Sequence, residues 1–343
     1  MEWQKGSAKG DKILAPDSLL ACYTAITQSS LRSQEPMPIV ELHHVRKAYD
    51  TKIAVDDLSL SIEPGTMFGL LGPNGSGKTS SIRMMIGITV PDSGTVRLFD
   101  QPFNRNLLKR VGYLPEERGL YKKMKVIDQL IFLGQLHGLD AHTAAKRAYD
   151  WCDRMEITEA VLKKTEELSK GMQQKIQFIA ALLHEPDLIL MDEPFSGLDP
   201  VNADLLMKTL LELRKEGRTI LFSTHRMDQV EKLCDEIALI HRGHLILSGG
   251  MREIKSRYPR NRVVVNFEGD SNFLHHPSVE SYQDYSGHAE IKLHSGNGHG
   301  PHPDAQPLLA DAVARGTRIS RFEVMEPTLE EIFIEAVGGK ADA

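Results

Sequence analysis

Residues 72–80 read GPNGSGKTS, with glycines at Gly72, Gly75 and Gly77 ahead of Lys78 and Thr79. The spacing Gly72-x-x-x-x-Gly77-Lys78-Thr79 is that of a loop whose backbone N–H groups curl around phosphates. The lysine reaches the outer phosphates, and the threonine hydroxyl holds Mg²⁺. Pro73, Asn74, Ser76 and Ser80 complete this candidate phosphate site. The apolar run MFGLL precedes it and a helical pattern follows, the context that this chemistry requires. A second cluster, LILMDEP, ends four apolar residues on Asp192 and Glu193. The carboxyl end of a parallel strand is where such sheets bind ligands. There Asp192 can hold Mg²⁺ through water, and Glu193, one residue on, can polarise a water in line with the outer phosphate. A third residue, His225, follows the apolar strand pattern TILFST. An imidazole at that edge can hydrogen-bond the outer phosphate and hold the attacking water.

Two further features bear on the same chemistry. Tyr49 follows the first strand pattern, upstream of the glycine loop. By itself it is open between stacking on a nucleobase and packing in a core. The stretch LSKGMQQKIQFIAALL reads as a buried helix from Gln173 onward, but it starts on Ser169, Lys170, Gly171 and Met172. A hydroxyl, a cation and a bare backbone thus stand at a helix N-terminus, which carries unpaired N–H groups and the positive end of the macrodipole.

The surrounding pattern predicts the elements that position these residues. Over 39–110 the runs IVELHHV, LSLSI, MFGLLG and TVRLF predict short strands, interrupted by a helix over about 79–86. Residues 118–170 turn helical, with VIDQLIFLGQLHGL and TAAKRAYDWCDRM, and read as an insertion. Strand LILMDEP, a helix over about 203–215, strand TILFST, a helix over about 227–234 and strand EIALIHRG then follow. Strands alternating with helices mean a parallel, doubly covered sheet. Past about residue 250 the runs RVVVNFEG, VESYQDY and HAEIKLH predict antiparallel strands, SGNGHGPHP a loop, and DAQPLLADAVARG a helix. RISRFEV predicts a strand, and PTLEEIFIEAV a helix with Pro327 in its first turn. The expected organisation is an extension over 1–36, an α/β domain over 37–250 and a small α+β domain over 251–343. Met37 opens the first strand pattern and is a candidate translation start, the alternative being that 1–36 form a short disordered or helical arm; N-terminal mass spectrometry of the native protein decides between them.

The chain has 343 residues, enough for two domains, and a net charge of −6 with no long basic run, which argues against nucleic acid as a partner. Cys22, Cys152 and Cys234 are far apart and odd in number, so no disulfide framework or metal spacing follows. Six of the fourteen histidines fall in 275–302 at irregular spacing, which reads as a solvated loop rather than a metal site. No apolar run approaches the roughly 18–20 residues that cross a bilayer.

Taken in order, Tyr49, GPNGSGKT, GYLPEERGLY, LSKGM, LILMDEP, SGLD at 196–199 and His225 resemble the nucleotide-binding subunit of an ATP-binding cassette (ABC) transporter over about 38–250. The ending EPTLEEIFIEAV after a small domain is similar to the bacterial drug- and sodium-exporter branch, whose membrane partner is of the ABC-2 type. The resemblance implies a P-loop NTPase fold, with a RecA-like parallel sheet, N-terminal antiparallel strands and a helical insertion. It implies Tyr49 as the adenine-stacking aromatic, ATP and Mg²⁺ as ligands, and Glu193 and His225 as catalytic residues. Ser169, Lys170, Gly171 and Met172 then form a signature that contacts ATP held by a second copy, head to tail, with Asp199 at the seam. The implied setting is the cytoplasmic face of a membrane, on a separate permease gripped by the helical insertion and the lid loop. Two features depart from the family pattern: Glu116 stands where the lid loop carries glutamine, and the signature reads LSKGM rather than LSGGQ, with Lys170 and Met172 in the changed places. Glu116 can still reach Mg²⁺ or water, adding negative charge near the phosphates. The alternatives are a soluble ATPase of the same superfamily, acting on ribosomes or DNA, and a non-hydrolysing regulator.

Overall fold

The computed structural model describes residues 37–117, 119–294 and 303–338. The expectation for 1–36, and that for the loop over 295–302 with His299 and His302, lie outside them.

Strands β1 (Val40–Tyr49), β2 (Lys52–Ile62), β4 (Ser93–Leu98) and β5 (Gln101–Pro102) form an antiparallel sheet in the order β2-β1-β4-β5. Between them run β3 (Met67–Leu71) and the helix α1 (Lys78–Met85). With β6 (Val111–Leu114), β7 (Leu188–Asp192), β8 (Thr219–Thr224), β9 (Glu236–His241) and β10 (His244–Gly250), β3 builds a six-stranded sheet in the order β10-β9-β3-β8-β7-β6. Neighbours from β9 to β6 are parallel, and only β10 pairs antiparallel. Every residue of β3, β7 and β8 is buried. That is why they read as unbroken apolar runs: a parallel sheet covered on both faces has no wet side to alternate toward.

The helices are α2 (Val126–Leu136), α3 (Ala141–Arg154), α4 (Lys170–Leu182), α5 (Pro200–Lys215), α6 (Met227–Leu233) and α7 (Met251–Ser256). Two of them start earlier than periodicity suggests, and in each case a cap is the reason. The Ser169 hydroxyl accepts from Met172 N–H, so α4 begins at Lys170 rather than Gln173. The Asp199 carboxylate accepts from Val201 N–H and Asn202 N–H with Pro200 just inside, so α5 begins three residues before the expected 203.

A second antiparallel sheet, in the order β12-β13-β11-β14, comprises β11 (Arg262–Glu268), β12 (Val279–Asp284), β13 (His288–Leu293) and β14 (Arg318–Met325), with α8 (Gln306–Ala314) beside it. Val263, Val265, Phe273, Ile291, Leu293 and Leu308 bury one face in a cluster of their own. The last helix, α9 (Leu329–Gly338), starts two residues beyond Pro327, which corrects the first-turn expectation. Thr328 is the cap: its hydroxyl accepts from Glu331 N–H, while the Glu331 carboxylate accepts from Thr328 N–H. Although the chain from residue 251 reads as one domain, Ile254, Leu329 and Ile332 are buried in the large core around α4, β7 and β8.

Candidate active site

Parallel register brings the carboxyl ends of β3, β7 and β8 level. Leu71 pairs with Thr224, and Asp192 with Ser223. The loop after β3 is held tightly against its surroundings. A side chain on Gly72 would put its Cβ 2.1 Å from the Ile240 carbonyl oxygen, and one on Gly77 would put it 2.4 Å from that of Ala54. Both glycines have positive φ, 152° and 116°. The first and last glycines of the motif are therefore demanded by backbone approach and conformation together.

Lys78 opens α1 and is buried. Its Nζ donates to the carbonyl oxygens of Gly72 (2.8 Å) and Pro73 (3.2 Å) and lies 3.9 Å from Glu193 Oε1. Burial pushes its pKa down, while Glu193, Asp192 and Glu116 pull it back toward the charged form. Asp192 is 1% exposed. Its Oδ1 accepts a very short bond from the Ser223 hydroxyl, and its Oδ2 is buried without a protein partner. Ser76 Oγ in the glycine loop is likewise buried without one. Unsatisfied buried oxygens cost free energy unless something binds them.

Glu193 sits at φ 49°, in the left-handed region, which costs about 1–2 kcal/mol for a non-glycine residue. Its N–H donates to the Ser223 carbonyl (3.1 Å) and lies 3.3 Å from the Ser223 hydroxyl. The Thr224 hydroxyl donates to Oε2 at 3.3 Å, and His225 Nδ1 is 2.9 Å from Oε1. The turn aims the carboxylate back over the sheet edge, between Lys78 and the half-exposed His225.

Lys78, Asp192, Glu193 and His225 thus meet, and Thr79 follows Lys78 on the same helix turn. Glu116 is exposed, in the loop beyond β6, near enough to act electrostatically on Lys78. Tyr113, at the same edge, has its hydroxyl pKa raised by burial and by Asp192. Tyr49 lies at the end of β1, 43% exposed, with Lys47 Nζ 5.7 Å from its ring centre, and so has not gone into the core. Within this chain no described hydrogen bond or ion pair joins Ser169, Lys170, Gly171 or Met172 to the four-residue cluster. Instead a Cβ on Gly171 would meet Leu198 (3.7 Å) and Asn202 (3.8 Å), so the start of α4 lies beside the turn before Asp199. Hydrogen bonds from Asn202 hold the Asp199 carboxylate below its ordinary pKa.

Four positioning residues escape a motif reading. Ser223 and Thr224 hold Asp192 and Glu193; the signal was two hydroxyls ending an otherwise apolar strand. Gln174 Nε2 donates to Pro194 O (3.2 Å), and Gln177 Nε2 to Glu117 O (3.1 Å). The helix α4 therefore grips both the loop that follows Glu193 and the loop that carries Glu116. Amides buried on an apolar helix mark such ties, because a buried polar group needs a partner.

A family model described as ABC transporter matches residues 55–196. A second, the C-terminal domain of ATP-binding proteins like DrrA1-3, matches 249–337. The chain is 41% identical to the uncharacterised ABC transporter ATP-binding protein YhaQ of Bacillus subtilis, over 88% of this chain and 99% of that protein. It is 32% identical to the linearmycin resistance ATP-binding protein LnrL of the same organism, over 88% and 98%. With the Nod factor export ATP-binding protein I of Cupriavidus metallidurans it shares 36% identity over 63% of this chain and 72% of that one. Among solved structures, an ATP-binding subunit of an ABC transporter superposes with a TM-score of 0.59 at 27% identity, covering 64% of this chain and 92% of the other. Its sheet and helices have the arrangement of P-loop ABC ATPase domains.

Proposed function

The chain belongs to the ATP-binding proteins of ABC transporters, and from that premise we propose that it is the Mg²⁺-dependent ATPase of an ABC-2 type exporter, acting as a head-to-tail pair of copies on a separate permease. The observation that carries the hydrolytic part is the convergence of Lys78, Asp192, Glu193 and His225 at one sheet edge. Export is supported by relatives named for linearmycin resistance and Nod factor export, and by the C-terminal match to DrrA-like proteins.

The residues fit Mg²⁺. Asp192 keeps one buried oxygen without a protein partner, and Thr79 supplies a hydroxyl in the motif position. Held by Asp192 and Thr79, Mg²⁺ would supply positive charge against the charge developing on the outer phosphates. The N–H groups of the loop 72–80, apart from Pro73, which has none, cradle the phosphates, Lys78 gives up its carbonyl bonds for them, and Tyr49 stacks on the base. Glu193 takes a proton from the attacking water, and His225, bonded to Glu193, holds the outer phosphate and that water in place. Glu116 adds negative charge at the lid. Ser169 and Gly171 of the other copy cap the outer phosphate from the N-terminus of α4, with Lys170 and Met172 beside them and Asp199 at the seam. The helix dipole contributes roughly 0.3–2 kcal/mol there. Among the described residues no helix is long and apolar enough to cross a membrane. Attachment to the cytoplasmic face is therefore assigned to the permease, which also reads the substrate.

Glu193→Gln tests the reading. ATP turnover should drop at least about 10²-fold, while ATP still binds and converts the subunit to a dimer on gel filtration. Turnover equal to wild type would remove Glu193 as the base. A dimer that forms equally well in Ser169→Glu would remove the trans contact.

A further inference from the structure

The helix α9 faces the start of the glycine loop and His225. A cavity of about 520 Å³ beside His225 is lined on one side by Gly72, Pro73 and Asn74 and on the other by Glu330, Phe333 and Ile334 of α9. The helix α9 is anchored there. Leu329 and Ile332 are 3% and 1% exposed, in the same core cluster as Val230 and Leu233 of α6. The Phe333 ring meets the His241 ring edge-on, with centres 5.9 Å apart.

One side chain joins these pieces. Glu231 lies on α6, the helix that begins two residues after His225. Its Oε1 accepts from the N–H of Leu329, the first residue of α9, at 2.6 Å, and lies 3.2 Å from Lys255 Nζ on α7. The first N–H groups of a helix have no partner within it, so a carboxylate at that place both satisfies a donor and meets the positive end of the dipole. On its other side α9 is tied to the accessory sheet, where Arg262 bonds Glu331 of α9 and, at 2.7 Å, Glu290 of β13. A chain of contacts therefore runs from β13 through Arg262, α9 and Glu231 to the helix that follows His225.

We infer that α9 is a working wall of the ATP site and that Glu231 is the positioning residue that seats it, so that the seating of α9 against α6 sets the rate of hydrolysis through His225. This rests on the hydrolytic reading above. Glu231 acts by fixing α6 and α9 against one another, and small displacements of a positioned group are costly in rate. The effect belongs in the hydrolytic step rather than in nucleotide affinity, because the contacts of Glu231 are to Leu329 and Lys255 and it stands on the helix that follows His225.

The test uses the full chain with Glu231→Ala, Glu231→Gln and Phe333→Ala, measuring ATPase kinetics and thermal melting. Glu231→Ala is expected to lower kcat about 3–10-fold with KM for ATP moved less than about twofold. Glu231→Gln keeps an acceptor for Leu329 N–H and should stay within about twofold of wild type. Phe333→Ala removes part of the wall without touching the tie and should lower kcat by about threefold. If Glu231→Ala does not fold, Phe333→Ala decides alone. Melting points that fall while kcat stays at the wild-type value in the folded variants would overturn the inference and leave a purely structural clamp. The failures are distinguishable: if Glu193→Gln abolishes turnover and these variants do not change it, only this inference fails, and if Glu193→Gln leaves turnover intact, the hydrolytic reading fails.

Discussion

The sheet edge formed by β3, β7 and β8 and the accessory sheet β12-β13-β11-β14 both rest on buried apolar strands, yet they handle polar groups in opposite ways. At the first, Asp192 Oδ2 and Ser76 Oγ are buried without partners, Lys78 is buried against its own loop carbonyls, and Glu193 is held in a left-handed conformation. In the second, the charges lie on the outer face as pairs, Arg262 with Glu290, Lys292 with Glu280 and Arg321 with Glu323. Among the described residues, no buried side-chain polar atom between 262 and 325 lacks a partner. At the first edge the unmet hydrogen-bonding capacity stands where a ligand is to supply the missing partner, whereas the accessory sheet satisfies its own buried groups.

Three substitutions break or sharpen that contrast. The largest effect on stability belongs to the accessory sheet. Phe273 is fully buried, edge-on to Phe267 at 5.0 Å. Phe273→Ala should cost about 3–5 kcal/mol, read by denaturant unfolding, while kcat of the folded fraction stays within about twofold. A large fall in kcat with intact folding would erase the distinction between the two regions. At the site the balance reverses. Ser223→Ala removes the donor to Asp192 Oδ1 and a contact to Glu193 N–H. Turnover should fall about tenfold for a loss of roughly 1–2 kcal/mol in stability, and an unchanged turnover would mean that Asp192 and Glu193 need no such support.

The smallest effect concerns a polar group near neither region's chemistry. His184 stacks on His137 with ring centres 3.9 Å apart, and its Nε2 lies 3.0 Å from Val111 O. Burial, then the neighbouring His137, push its pKa down to about 4. The unfolded chain, with a value near 6.5, binds the proton first. Stability from this group is therefore complete above about pH 6.5 and is lost as pH falls toward 4, by about 1–2 kcal/mol after solvent screening. Urea midpoints from pH 7 to pH 4 should fall less steeply in His184→Gln than in wild type. Parallel curves would show that His184 is not held neutral.

Much of this molecule was legible because its chemistry is carried in short contiguous runs. The loop 72–80, the pair Asp192–Glu193 and the continuous apolar strands around them depend on neighbours in the chain, so spacing and period expose them. Helix starts were less legible: Ser169 and Asp199 act as caps through side-chain geometry, and Pro327 sits outside the helix that it was expected to open. Ser223, Thr224, Gln174 and Gln177 carried no motif at all, and only strand register and helix packing give them their partners.

What the order of residues determined by itself was therefore the set of reactive groups, the alternation of strand and helix, and the glycines without which the loop cannot approach its neighbours. What the tertiary structure alone decided was which distant groups touch: Ser223 on Asp192, His225 on Glu193, and the N–H of Leu329 on Glu231, 98 positions away. Local conformation follows from sterics and propensity within a few residues. Contacts across such separations are set by how the apolar faces pack together, and no short window of sequence contains that information.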